Sequence, residues 1–133
     1  MSTKQSFGAV TAGRATPLFP AAIRYSELLL LSGQAPLDPL TGTVVAGDFR
    51  AQARQVLSSI SDSLALGGAD MGDVLRVVCI LARAEDFAVW NEEFAEAFPE
   101  PRPVRTTFVA GFVIPEMLIE VEVTAGVRQG AKG

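Results

Sequence analysis

The segment from Phe49 to Leu66 constrains the fold most, because its apolar residues recur at steps of three and four. That spacing places them on one stripe of an α-helix, and such a stripe has to pack against other apolar surface. Asp48 precedes the segment as a candidate N-cap, and Gly67-Gly68 follow it as a left-handed C-terminal stop. We therefore predict one long helix packed on a core. Its buried stripe consists of Phe49, Ala53, Val56, Leu57, Ile60 and Leu64.

Apolar runs of strand length flank this helix. Residues 21–24 and 28–31, joined by a turn near Tyr25-Ser26-Glu27, predict a hairpin whose second strand is apolar enough for both faces to be covered. Residues 73–82 carry a nearly continuous Val, Leu and Ile run, which predicts a central strand buried on both faces.

A second helix is predicted over residues 86–98, and prolines 99, 101 and 103 end it. Its large apolar side chains lie on one side, and we interpret all of them as core residues. They are Phe87, Trp90, Phe94 and Phe98.

The last two apolar segments, residues 104–111 and 117–125, predict a terminal hairpin. The period of two places Arg105 and Thr107 on one face of their strand, and Glu120 and Glu122 on one face of theirs. If Thr107 lies opposite Glu120, all four side chains share one surface, whereas a register slipped by one residue separates them. The sequence leaves that register open.

This order of elements predicts an α+β domain with two amphipathic helices on one face of a mixed sheet. We expect one domain over residues 1–133, with a core at about 17–127 and a mobile C-terminal tail at 128–133. The mean hydropathy of +0.32 indicates apolar surface that must face something. A homo-oligomer interface would cover the free sheet face, although a Leu- and Val-rich core would also raise the hydropathy.

Charge and residue usage exclude several classes of function. The chain has 11 basic and 15 acidic residues, so its net charge of −4 argues against a nucleic-acid partner. It has no His and one Cys, which excludes His-containing triads and His-based metal sites. Cys79 lies in an apolar run and is expected to be buried and inert. No apolar run approaches the ~18 residues of a membrane span, and we see no signal peptide, so we predict a cytoplasmic protein.

Arg105 is the most informative single residue, because the proline-rich stretch 99–103 leads a permanent cation into an apolar strand. Such a cation needs an anion. Considered alone, however, an arginine on a late strand is more often a solvated or salt-bridged surface group, and a glutamate alternating with valine usually marks the wet face of a sheet.

Several short motifs follow one another along the chain, namely Ser32-Gly33-Gln34, Pro36-Leu37-Asp38-Pro39-Leu40-Thr41-Gly42, Asp86-Phe87 with Asn91, Pro103-Val104-Arg105 and Ile119-Glu120-Val121-Glu122. In order and spacing they resemble those of the Rid/YjgF imine deaminases over about residues 17–127. The resemblance implies a chorismate-mutase-like fold with a mixed sheet of about six strands, assembled as a homotrimer with a cleft at each subunit interface.

The resemblance also implies a hydrolase that needs no cofactor and converts reactive enamines and imines, such as 2-aminoacrylate, to 2-keto acids and ammonia. Arg105 would hold the substrate carboxylate through two parallel hydrogen bonds. Glu120 matches the acidic residue that orients or deprotonates the attacking water, with Glu122 as an equally placed competitor. The backbone around Thr107 and Ser32-Gly33 would contact the substrate. Asn91 matches the helix asparagine of the family, although it could also serve as a local cap or hydrogen-bond partner.

Two positions depart from the family pattern. Phe19 stands where well-known members place a tyrosine whose hydroxyl reaches the substrate of the neighbouring subunit, and Thr107 stands where they carry a cysteine. Two alternatives therefore stay open. One is a deaminase of a larger unsaturated amino acid such as 2-aminomuconate, and the other is a noncatalytic, carboxylate-binding or holdase-like trimer. An endoribonuclease, as some relatives are labelled, fits badly with the net charge of −4 and the absence of His.

Overall fold

The computed structural model describes residues 3–128, in which a six-stranded mixed sheet carries two α-helices. The strands lie in the order β1-β2-β3-β6-β4-β5, and the only parallel pair among them is β4 with β5. The predicted α+β class, with two helices and about six strands, is confirmed. The bounds are β1 Gln5–Phe7, β2 Ala22–Tyr25, β3 Leu28–Leu31, α1 Phe49–Leu66, β4 Val74–Leu81, α2 Phe87–Ala97, β5 Val104–Val109 and β6 Ile119–Gly126.

Helix α1 has the bounds that its apolar stripe predicts. The Oδ1 atom of Asp48 accepts a hydrogen bond of 3.0 Å from the backbone N–H of Ala51, which confirms the N-cap. Gly68, with φ of +84°, takes the left-handed conformation after the helix, whereas Gly67 has φ of −92°. The stripe packs against β3 and β6, so the helix covers one face of the sheet.

The strands alternate between this helix-covered face and an open face. Leu29 and Leu31 of β3 are buried, but Leu28 and Leu30 are 45% and 46% exposed. The prediction that both faces of this strand are covered is therefore wrong for the single chain. The same correction applies to β4, whose residue Arg76 is exposed on the open face. The reason is that α1 and α2 lie on the same side of the sheet, so neither of these helices covers the other side.

The predicted terminal hairpin is also wrong, because β5 and β6 do not pair with each other. Strand β4 lies between them, parallel to β5 and antiparallel to β6. Helix α2 makes the crossover that a parallel β4–β5 pair requires. The backbone N–H and C=O groups on both edges of the central strand β4 are therefore hydrogen-bonded to neighbouring strands.

Of the predicted C-terminal tail, only Arg128 belongs to the described residues, and positions 129–133 lie outside them. Within residues 3–128, neither helix is both long and apolar enough to pass through a bilayer.

Candidate functional site

Arg105 lies on the helix-covered face of β5, in register with the buried residue Val77 of β4. Its Nη2 group donates a hydrogen bond to Oδ1 of Asn91, which lies on α2. Among residues 3–128, no carboxylate forms an ion pair with this guanidinium. The structure therefore presents Arg105 as a cation oriented by a neutral amide.

Two aromatic rings of α2 complete the surroundings of this cation. The guanidinium carbon of Arg105 lies 4.8 Å from the ring centroid of Phe94 and 5.5 Å from that of Phe87. Both distances fit cation–π contact, which favours a weakly hydrated guanidinium. Phe94 is buried but Phe87 is 44% exposed, so the interpretation of Phe87 as a core residue is wrong. Phe87 instead forms part of the wall beside Arg105.

Thr107 lies two residues further along the same face, in register with Cys79. The Oγ1 atom of Thr107 is buried and has no hydrogen-bond partner among the described residues. Burial raises the pKa of the Cys79 thiol to about 12, although the nearby positive charge of Arg105 lowers it. Cys79 is therefore a neutral, buried thiol, whereas Thr107 offers an unused hydroxyl beside the cation.

Glu120 lies on the opposite, open face of the sheet, next to Gly33. A Cβ atom placed on Gly33 would lie 2.5 Å from Oε2 of Glu120, which is closer than atoms approach without a hydrogen bond. Gln34 and Val121 exchange two backbone hydrogen bonds of 2.7 and 3.2 Å, which hold this segment along β6. Burial raises the pKa of the Glu120 carboxyl, and the nearby charge of Glu122 raises it further. Glu120 is thus a partly buried carboxyl with a raised affinity for a proton.

Ser32 and Phe19 take part in hydrogen bonds of the segments that precede Gly33. The Ser32 hydroxyl donates a 2.9 Å hydrogen bond to the carbonyl of Pro20, so its side chain is already engaged. The carbonyl of Phe19 accepts a 2.7 Å hydrogen bond from the N–H of Val10. These contacts connect the N-terminal segment to the strand that precedes Gly33.

The predicted site residues therefore form two groups on opposite faces of the sheet. Arg105, Asn91 and Thr107 lie on the helix-covered side, and Glu120 with Gly33 lies on the open side. Glu120 is in register with Ile80 of β4, and Arg105 is in register with Val77 of the same strand. Ile80 and Val77 are three residues apart, so their side chains lie on opposite faces of the sheet. Of the two arrangements that the sequence left open, the structure excludes the one in which Arg105, Thr107, Glu120 and Glu122 share one surface. That arrangement required the hairpin, whereas β4 lies between β5 and β6.

Sequence reasoning missed Gln52, a buried polar residue on α1. Its Nε2 group donates a 3.0 Å hydrogen bond to the carbonyl of Glu116, and its Oε1 atom accepts a 2.7 Å bond from the N–H of Leu118. These bonds tether the loop that leads into β6 and Glu120. The sequence does contain a signal for this role. Gln52 comes three residues after Phe49, so the helical period places its polar side chain on the apolar stripe.

The two groups combine an arginine that has no carboxylate partner within residues 3–128 with a carboxyl whose pKa is raised by burial. Within residues 3–128, no set of three or more His, Cys, Asp or Glu side chains is arranged to hold a metal ion. What the described side chains offer is charge complementarity, hydrogen bonding and proton transfer to or from a carboxyl.

Comparison with known proteins places these features in context. Residues 11–127 match the family described as Endoribonuclease L-PSP. The chain is 36% identical over 117 residues to the 3-aminoacrylate deaminase RutC of Acinetobacter baylyi, covering 86% of this chain and 93% of that protein. It is 35% identical over 107 residues to the chloroplastic Reactive Intermediate Deaminase A of Arabidopsis thaliana, covering 80% of this chain and 57% of that protein. The solved structure of YyfA from Yersinia pestis, a protein of unknown function of the conserved Rid protein family, superposes with a TM-score of 0.85 at 28% identity and covers 94% of this chain and 100% of that one.

Proposed function

Because this chain belongs to the Rid/YjgF family, which is also described as Endoribonuclease L-PSP, we propose that it is an imine deaminase. Its substrates are 2-imino carboxylates and their enamine tautomers, of which 2-aminoacrylate is the simplest. Its products are 2-keto acids and ammonia. Relatives named as deaminases support the reaction class, and the chain's own residues support the roles that follow.

The observation that carries this proposal is the unneutralised charge of Arg105. Its contacts are a neutral amide and two aromatic rings, and no carboxylate within residues 3–128 pairs with it. A guanidinium in such surroundings binds a planar carboxylate through two parallel charge-assisted hydrogen bonds. Arg105 would therefore hold the carboxylate of the substrate and fix the position of the adjacent C=N carbon.

Glu120 supplies the proton transfer. As the water oxygen bonds to the C=N carbon, one water proton passes to the Glu120 carboxylate. Glu120 then returns this proton to the nitrogen, which gives a neutral carbinolamine. Glu120 next takes the proton of the hydroxyl group and passes it to the nitrogen, so the C–N bond breaks as ammonia leaves and the oxygen becomes the keto oxygen. A carboxylate with a raised pKa is suited to both steps, because it binds and releases a proton closer to neutral pH.

Each site would be shared between two chains of a homotrimer. Arg105 and Glu120 face opposite sides of one sheet, so a substrate in contact with both requires a second copy. The open face also carries exposed apolar side chains that a neighbouring copy would cover. By register these include Leu28, Leu30, Val104 and Phe108.

The test is to generate 2-aminoacrylate with a serine dehydratase and to measure 2-keto acid release by the wild type, by Arg105→Lys and by Arg102→Lys. Arg102 is an exposed arginine that pairs with Glu100, so its replacement is a matched control. We expect Arg105→Lys to lower kcat/KM roughly 100-fold, since the fork geometry is lost, and Arg102→Lys to leave it unchanged. A wild type that does not accelerate hydrolysis, but shows a thermal shift with 2-ketobutyrate, would favour a noncatalytic carboxylate-binding trimer instead.

The cytoplasmic location, the absence of a cofactor and the absence of a nucleic-acid partner stay predictions from the sequence.

The departure at Phe19 concerns substrate choice. Its ring supplies no hydroxyl to a neighbouring cleft, so a Phe19→Tyr variant measured in the same assay tests its contribution.

A further inference from the structure

A cavity of about 850 Å³ opens beside Glu120. Three loops surround it, namely the N-terminal segment 10–13, the turn that includes Leu37 and Gly42, and residues 110–117 before β6. Ile80 and Glu120 contribute to it from the open face of the sheet. The volume is typical of pockets that hold small organic ligands.

The lining of this cavity is apolar apart from Thr11 and Glu120. Glu120 is the one ionisable side chain among the lining residues that the structure describes. The larger apolar side chains are Val10, Leu37, Ile80, Phe112, Ile114 and Met117. A charged group placed deep in such a space would lose its hydration and gain no partner, whereas an apolar group would be favoured there.

In the single chain, the cavity is larger than the smallest imines require. At about 30 Å³ per water molecule, its volume corresponds to roughly 28 waters. The imine of alanine, or 2-aminoacrylate, would leave most of that apolar surface in contact with water. A branched or aromatic side chain would displace this water and cover the surface.

We propose that this cavity binds the substrate side chain, and that the preferred substrates are 2-imino acids with large apolar side chains, such as those of leucine and phenylalanine. The inference rests on the proposed function, because it takes the carboxylate to be held by Arg105 and the C=N carbon to lie beside Glu120. It also disfavours unsaturated amino-dicarboxylates such as 2-aminomuconate. Their second carboxylate would enter apolar space next to Glu120, where desolvation and like-charge repulsion both oppose it.

The experiment is a panel of imines produced in place by an amino-acid oxidase from alanine, leucine, phenylalanine and glutamate. Semicarbazide competes for each imine, so the fraction that escapes trapping reports kcat/KM. We expect values for the leucine and phenylalanine imines at least about tenfold above that for the alanine imine, and the lowest value for the glutamate imine. Equal values, or a preference for the alanine or glutamate imine, would overturn the inference while leaving the deaminase proposal intact. No acceleration with any imine would overturn both.

A cavity-filling variant tests the location. Ile114→Trp should reduce the ratio of the leucine to the alanine kcat/KM about tenfold, because the indole occupies the side-chain space. The matched control is Leu66→Trp at the C-terminal end of α1, which is half-exposed and does not line the cavity. An unchanged ratio in a folded Ile114→Trp protein would show that the side chain binds elsewhere. Should that variant fail to fold, the wild-type panel still decides the preference.

Discussion

Gly33 and Glu120 lie so close together that no side chain fits between them, since a Cβ atom on Gly33 would lie 2.5 Å from Oε2 of Glu120. Gly33 needs no left-handed backbone, so its role is to leave space for the carboxylate. The Glu120 side chain is thereby positioned from two sides, by its own strand β6 and by the segment that follows β3.

Gly33→Ala should lower kcat by about tenfold or more, because the new methyl group displaces the carboxylate from its position. The contacted atom is the end of a flexible side chain, so the melting temperature should change little. The control is Gly126→Ala, whose Cβ atom would meet Leu75 Cδ1 at an ordinary 3.6 Å. Full activity of Gly33→Ala would show that catalysis does not depend on where this carboxylate lies.

The pH dependence distinguishes Glu120 from Glu122. Burial and the charge of Glu122 raise the pKa of Glu120, so the unprotonated base forms at higher pH than it does for an ordinary glutamate. The acid limb of kcat/KM should reflect that raised pKa, and Glu120→Gln should abolish most activity. Glu122→Gln should stay active and move the limb to lower pH, because a repelling charge is removed. The reverse result would assign the water-activating role to Glu122.

The same raised pKa has a consequence for stability. A group that binds its proton more tightly in the folded state contributes stability below its unfolded pKa, and this contribution is lost as pH rises through the folded pKa. Glu120→Gln should therefore gain thermal stability relative to the wild type at neutral pH, but not at acid pH. Melting curves of the two proteins across this range provide the measurement.

Asn91 orients Arg105 without neutralising it, which makes the Asn91→Asp variant informative. A carboxylate at this position would pair with Arg105 and compete with the substrate. We expect Asn91→Asp to raise KM more than Asn91→Ala does, with roughly tenfold separation between them. A thermal-shift titration with 2-ketobutyrate should follow the same order. If the aspartate variant binds as well as the alanine variant, Arg105 is not the carboxylate anchor.

The proposed sharing of each site between two chains can be tested by complementation. Arg105→Ala and Glu120→Gln should each be inactive alone, but mixed trimers should recover activity. In a cyclic trimer that contains both variants, one cleft in three receives Arg105 from one chain and Glu120 from another, so about a third of wild-type activity should return. Co-expression with two affinity tags would isolate these mixed trimers. Their failure to recover activity would indicate that each site lies within one chain.

The parts of the fold that depend on local pattern were predicted well. The stripe and caps of α1 gave its bounds, because helical period, N-cap chemistry and glycine stops all act within a few residues of the chain. The first hairpin, β2 and β3, follows from the same kind of short-range information.

The pairing of β5 and β6 could not be read from the sequence. Both strands show a clear period of two, but that period is equally compatible with a hairpin and with strands on either side of β4. The face that Arg105 occupies relative to Glu120 depends on this long-range choice, so the sequence left open whether their side chains share a surface. Gln52 was likewise missed, since its role appears only when distant segments meet.

The separation of Arg105 and Glu120 onto opposite sides of one sheet would tie catalysis to protein concentration. A newly synthesised or highly diluted chain would contain both Arg105 and Glu120 but would not catalyse the reaction, because the two side chains meet only where neighbouring chains are in contact. Under the proposed function, specific activity should therefore decline on dilution below the dissociation range of the assembly and return on reconcentration.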